Sequence, residues 1–182
     1  GHSRRADIVL LDDAFKVQNT WYGGQLMVED GKVTSQLDQQ MEHQRWTYPQ
    51  AAYQTVKLPS KYQLTPDLPS EDVTANVIHV VLPGVVTFLE QVKLEAGKSW
   101  EQHFKEHDVC FVTVIERHGN NGATGYGLLK GFNLTSGAVA SSVGHDAHNI
   151  IVAGTNEADM RLAVETIAQH SGGLVIVEDG KV

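Results

Sequence analysis

The chain has 182 residues, 22 acidic against 14 basic side chains, a formal net charge of -8, and 41% apolar residues. It is too apolar for a disordered chain and too acidic for nucleic acid or an anionic membrane as partner, since both call for a basic face. Its one cysteine, Cys110, excludes an internal disulfide and fits a reducing, cytoplasmic setting.

In chain order, Gly1-His2-Ser3 reads as a vector-derived start, with no signal peptide. The apolar run 6–13 reads as a buried strand closed by Asp12 and Asp13. A second strand is expected from Gln25 to Glu29. Asp30-Gly31 is then the strongest hairpin signal in the chain, and residues 32–37 are expected to pair back. So small a sheet is marginal alone and is expected to lean on another body. Over 39–70 glutamines cluster and Pro49, Pro59, Pro66 and Pro69 interrupt the pattern. This stretch reads as linker or irregular wrapping chain, with the domain boundary at 59–69 and Trp46, Tyr48 and Tyr53 packing on a surface.

Residues 71–182 read as a second module. Strands are expected over 75–82, 85–94, 108–116, 125–132, 137–143, 150–153 and 174–177, the clearest being the β-branched run at 108–116. A short helix fits 99–107. Asn156 is a good N-cap for a longer helix through Gln169, with Met160, Ala163, Val164 and Ile167 facing the core and Ser171-Gly172-Gly173 as its stop. Asp179-Gly180 repeats the turn chemistry of Asp30-Gly31, which reads as two similar hairpins and not as a true repeat. The longest uncharged apolar stretch, 76–89, is broken by His79, Pro83 and Gly84 and falls short of the ~20 residues a membrane span needs. The fold class expected is α+β: a small β-sandwich remnant over 4–38, then a domain over 71–182 with a mixed or antiparallel sheet and one long C-terminal helix.

Two places concentrate chemistry. Glu116-Arg117-His118 ends the strongest strand, and His145-Asp146-Ala147-His148 lies where an apolar strand breaks into a polar turn. In extended chain His145 and His148 point to opposite faces, so only a turn, which Gly144 and Asn149 permit, brings both imidazoles to one point. A metal reading takes the two imidazoles with Asp146 or Glu116 as oxygen ligand. An acid/base reading takes a histidine oriented by a carboxylate. The preferred reading from spacing alone is that these polar groups satisfy loop backbone. His103 and His107, four apart on the short helix, read as an exposed helix face, because no glutamate occupies the metalloprotease position. His79 reads as a satisfied core histidine, and Cys110 as packing. Gly122, Gly125 and Gly127 precede no helix and indicate no phosphate loop.

Residues 4–12, Arg-Arg-Ala-Asp-Ile-Val-Leu-Leu-Asp, resemble the segment where amidohydrolase-superfamily chains leave their barrel for a small β-sandwich. Val114-Ile115-Glu116-Arg117-His118, Gly127-Leu128-Leu129-Lys130-Gly131-Phe132, residues 137–143, and His145-Asp146-Ala147-His148-Asn149-Ile150 are similar in order and spacing to the C-terminal domain of bacterial adenine deaminases. So is the tail 172–177. The resemblance runs from Arg4 to Val182 and thins over 36–70; Ala147 stands where the family is expected to have serine.

The resemblance implies a parent enzyme that hydrolyses adenine to hypoxanthine and ammonia in a β/α barrel of about 200 residues or more. It also implies a divalent transition metal, manganese or iron, whose ligands lie in that barrel, with none expected in this chain. Implied partners are adenine and the chain's own barrel, with homo-oligomerisation an open possibility. Glu116, Arg117, His118, His145, Asp146 and His148 are then candidates for a polar patch closing over the barrel mouth. The tail beyond Val182 is expected to continue. Two other readings stand beside this one: a non-catalytic interaction module, and a self-sufficient metallohydrolase using His145, His148 and a carboxylate.

Overall fold

The computed structural model describes residues 4–43, 47–49, 52–82, 86–145 and 147–182, with only the backbone at Leu82. The chain divides into two compact units, 1–49 and 50–182.

The first unit is an antiparallel sheet in the order β1 (Ile8–Leu11), β2 (Val17–Tyr22), β3 (Gln25–Glu29) and β4 (Lys32–Val33). Asp30 and Gly31 both take positive φ, 49° and 73°, the backbone a two-residue hairpin requires, and they set Glu29 opposite Lys32. The pairing-back strand is shorter than expected. It ends at Val33, and α1 (Ser35–His43) follows, a helix without a buried residue. The expected burial of β1 is also corrected: all four of its residues are exposed, because it is an edge strand paired with β2 alone.

The second unit carries a mixed sheet of seven described strands. These are β5 (Val73–Leu82), β6 (Val86–Leu94), β7 (Val109–Ile115), β8 (Thr124–Lys130), β9 (Ala138–Ser141), β10 (Ile150–Gly154) and β11 (Leu174–Val177), in the spatial order β11-β9-β10-β7-β8-β5-β6. All neighbours run antiparallel except β5 and β8, which pair Val77 with Leu128 in parallel. Two helices cover one face, α2 (Trp100–His107) and α3 (Glu157–Gln169). As the spacing predicts, Met160, Ala163, Val164 and Ile167 of α3 are fully buried, against Ala138, Ala140, Ile150, Val152 and Val177 of the sheet. The approach is close enough that a Cβ on Gly154 would sit 2.3 Å from Met160 Cγ. The N-cap is Asn156, whose side chain accepts from the Asp159 N–H at 2.8 Å.

Residues 52–72 form no long element yet belong to this core. Leu64 is fully buried, with Val56, Leu58 and Tyr62 packed around it, and the Thr113 hydroxyl donates to the Leu64 carbonyl at 2.5 Å from within the sheet. Tyr48 and Tyr53, expected to pack, are 66% and 53% exposed; Trp46 lies outside the described residues. The opposite sheet face carries exposed Val114, Ile151, Leu174 and Ile176 in adjacent registers. No helix among the described residues is long and apolar enough to cross a membrane.

Candidate functional site

Strand order decides what the sheet end can assemble. Antiparallel pairing sets Ile115 of β7 opposite Ile150 of β10, so the chain leaving β7 emerges beside the chain entering β10. The two candidate clusters, some 30 positions apart in sequence, therefore meet. Arg117 Nε donates to the His148 carbonyl, and its Nη1 donates to Thr55 Oγ1 at 3.3 Å. His118 Nε2 lies 2.8 Å from the Ala147 carbonyl. The Lys57 N–H donates to the Arg117 carbonyl at 2.8 Å, so the wrapping segment joins the same junction. No local signal marks Thr55 and Lys57 for this junction; their pairing depends on where an irregular segment crosses the sheet.

Within the patch, roles divide. Glu116 is buried, and its carboxylate accepts backbone N–H bonds from His118 at 2.6 Å, Asn120 at 3.1 Å and Gly122 at 3.2 Å. Burial pushes its carboxyl up, but those backbone bonds outweigh it and hold the group below its ordinary range. Glu116 thus organises the 118–122 loop. His148 takes a left-handed backbone (φ 48°), held by its N–H on the Gly144 carbonyl and by its Nδ1, which accepts from the Gly144 N–H at 3.4 Å. His118, His145 and His148 are exposed, Arg117 is half-buried, and Asp146 lies outside the described residues.

Among the described residues of this patch, no three metal-ligating side chains converge. Glu116 spends its oxygens on backbone N–H groups, and one ring nitrogen each of His148 and His118 faces a backbone partner. What the patch offers is a fixed guanidinium and exposed imidazoles, suited to hydrogen-bonding the edge of a polar ligand. Among the described residues, the three-donor group that does converge is His103, Glu106 and His107, whose ligand atoms lie within 4.8 Å of one another. This corrects the exposed-face expectation for that pair: His103 is fully buried, among Trp100 and the core. His79 is half-buried with its Nδ1 2.6 Å from a Glu90 carboxylate oxygen, so it is satisfied by a strand neighbour and not by a core. Cys110 is buried as expected, and its thiol is pushed up to about 12 by burial.

A cleft of about 590 Å³ opens at the other end of the sheet, lined by Phe104, Leu134, Gly137 and Asn156 among others. Two of its polar groups are engaged, Lys105 with Glu101 at 2.9 Å and Asn156 in capping α3.

Residues 85–182 match the profile of the family described as "Adenine deaminase C-terminal domain". Over 183 residues and the whole of this chain, identity is 57% to the adenine deaminase of Bradyrhizobium sp. (strain BTAi1 / ATCC BAA-1182) and 55% to that of Chelativorans sp. (strain BNC1). It is 40% to the adenine deaminase of Desulforamulus reducens over 97% of the chain. The chain spans about 30% of the length of each of these relatives.

Proposed function

The chain belongs to the adenine deaminase C-terminal domain family, and from that premise we propose that it forms part of an enzyme hydrolysing adenine to hypoxanthine and ammonia. The observation that carries the reading is the 57% identity to an adenine deaminase along the entire chain. In this proposal residues 4–38 are the strands that follow the catalytic barrel, and the chain alone does not turn over adenine. The metal the resemblance implies, with its ligands, belongs in this proposal to the barrel of the parent. The parent works in the cytoplasm, in purine catabolism.

The role we assign to the patch is to present Arg117, His118, His145 and His148 at the mouth of the catalytic domain, where guanidinium and imidazole N–H groups meet the polar edge of the purine. Glu116 acts through these residues by fixing the loop that carries His118, which makes it a positioning residue. We assign the exposed Val114, Ile151, Leu174 and Ile176 to packing against the barrel of the parent enzyme.

The test is the full-length parent carrying Arg117→Ala, His145→Ala or His148→Ala. KM for adenine is expected to rise about tenfold for loss of one charge-assisted hydrogen bond, with metal content unchanged. Unchanged kcat/KM in all three would remove the patch from substrate binding.

A further inference from the structure

We propose that the face of α2 carrying His103, Glu106 and His107 binds a divalent metal ion of the zinc type. In the sequence His103-Phe104-Lys105-Glu106-His107 the three donors stand at i, i+3 and i+4, the spacings that share one face of a helix. The helix is firmly set for this. Ser99 and Gln102 form a reciprocal capping box at its start, and Trp100 and Phe104 pack edge-on against Phe111 of β7, with ring centroids 5.0 and 4.9 Å away.

The feature that points to a ligand is His103. It is fully buried, and neither of its ring nitrogens has a hydrogen-bond partner. A neutral imidazole carries one donor and one acceptor, and burying both unmatched is unfavourable. Its ring lies 6.2 Å from that of His107 and nearly parallel to it, at 15°, and one ligand atom from each of His103, Glu106 and His107 falls within 4.8 Å of the others. An ion between them gives one of the two orphaned nitrogens a partner, with side-chain adjustments. Metal–donor bonds of about 2.0–2.2 Å place tetrahedral ligand atoms roughly 3.4 Å apart, so the three donors close up on the ion when it binds.

Charge and access agree. Glu106 now holds Lys98 at 2.8 Å, but Lys98 also reaches Glu95 at 3.0 Å, so it keeps a carboxylate partner when Glu106 turns to a metal. The side chains of His107 and Glu106 are 26% and 44% exposed, which leaves an entry path and a position for water. Two imidazoles with one carboxylate select zinc over calcium or magnesium, which prefer oxygen ligands. The ion would link side chains of successive turns of α2 and so stabilise that helix. All three donors lie on one helix, so the proposal is independent of the deaminase assignment.

The experiment is calorimetric titration of the chelator-treated chain with zinc chloride, with melting scans and cobalt(II) absorption alongside. Expected are one zinc per chain at micromolar affinity, a higher Tm with zinc, and cobalt d–d bands in the visible. His107 is half-buried, so His107→Ala spares the fully buried His103. It is expected to weaken zinc about 100-fold or more and abolish the cobalt bands, while Glu106→Gln weakens zinc about tenfold. His145→Ala together with His148→Ala should leave affinity unchanged. Binding no tighter than millimolar, affinity unchanged in His107→Ala, or affinity lost in the His145/His148 variant instead would overturn the proposal.

Discussion

His118 Nε2 lies 2.8 Å from the backbone carbonyl of Ala147, joining the end of β7 to the turn before β10. The neighbouring Arg117 guanidinium repeats the link one residue on, at the His148 carbonyl. Two loops that would otherwise move separately are therefore one mechanical unit. Removing either side chain should release both. Arg117→Ala is expected to cost about 1 kcal/mol and to speed amide exchange over 144–149 as well as 117–122. Faster exchange confined to the mutated loop would show that the loops are independent.

Acid should act on this junction through Glu116. Its folded carboxyl titrates below the ordinary value of 4.5, so the stability it contributes is complete above that value and lost as pH falls through the lower folded one. Glu116→Gln is expected to lower Tm at neutral pH, with the gap to the parent chain closing below about pH 4. A gap that stays constant from pH 7 to pH 3 would contradict this.

The wrapping segment contributes to the core and is more than a tether. Leu64 is fully buried under the sheet, so Leu64→Ala should destabilise the chain by about 2–5 kcal/mol, measured by urea unfolding. A loss under about 1 kcal/mol, typical of surface positions, would mean that 52–72 packs loosely in solution.

Cys110 offers a chemical probe. With its thiol pushed up to about 12 and buried behind β7 and β8, it should resist iodoacetamide at pH 8 in the folded chain and react in denaturant. Ready labelling of folded protein would show that the sheet opens.

The parts of the fold legible in the sequence are those where one signal dominates. The β-branched run of β7 and the 3.6-residue spacing of α3 placed both elements to within a residue. Strand β2, Val-Gln-Asn-Thr-Trp-Tyr, was missed because its polar Gln18 and Asn19 break any alternation, and α1 because it buries no face. The junction of the two candidate clusters depends on β7 and β10 being neighbours, a long-range pairing that composition does not carry. His103 looked like half of an exposed pair, since nothing local shows that Trp100 and the core enclose its ring.

The most direct test of the central proposal is ammonia release from adenine by this chain and by its full-length parent, both supplied with manganese or iron. Turnover by the parent and none by 1–182 alone is the predicted result, and makes this chain a supporting domain of an adenine deaminase. Turnover by the isolated chain, or none by a metal-loaded, folded parent, would contradict it.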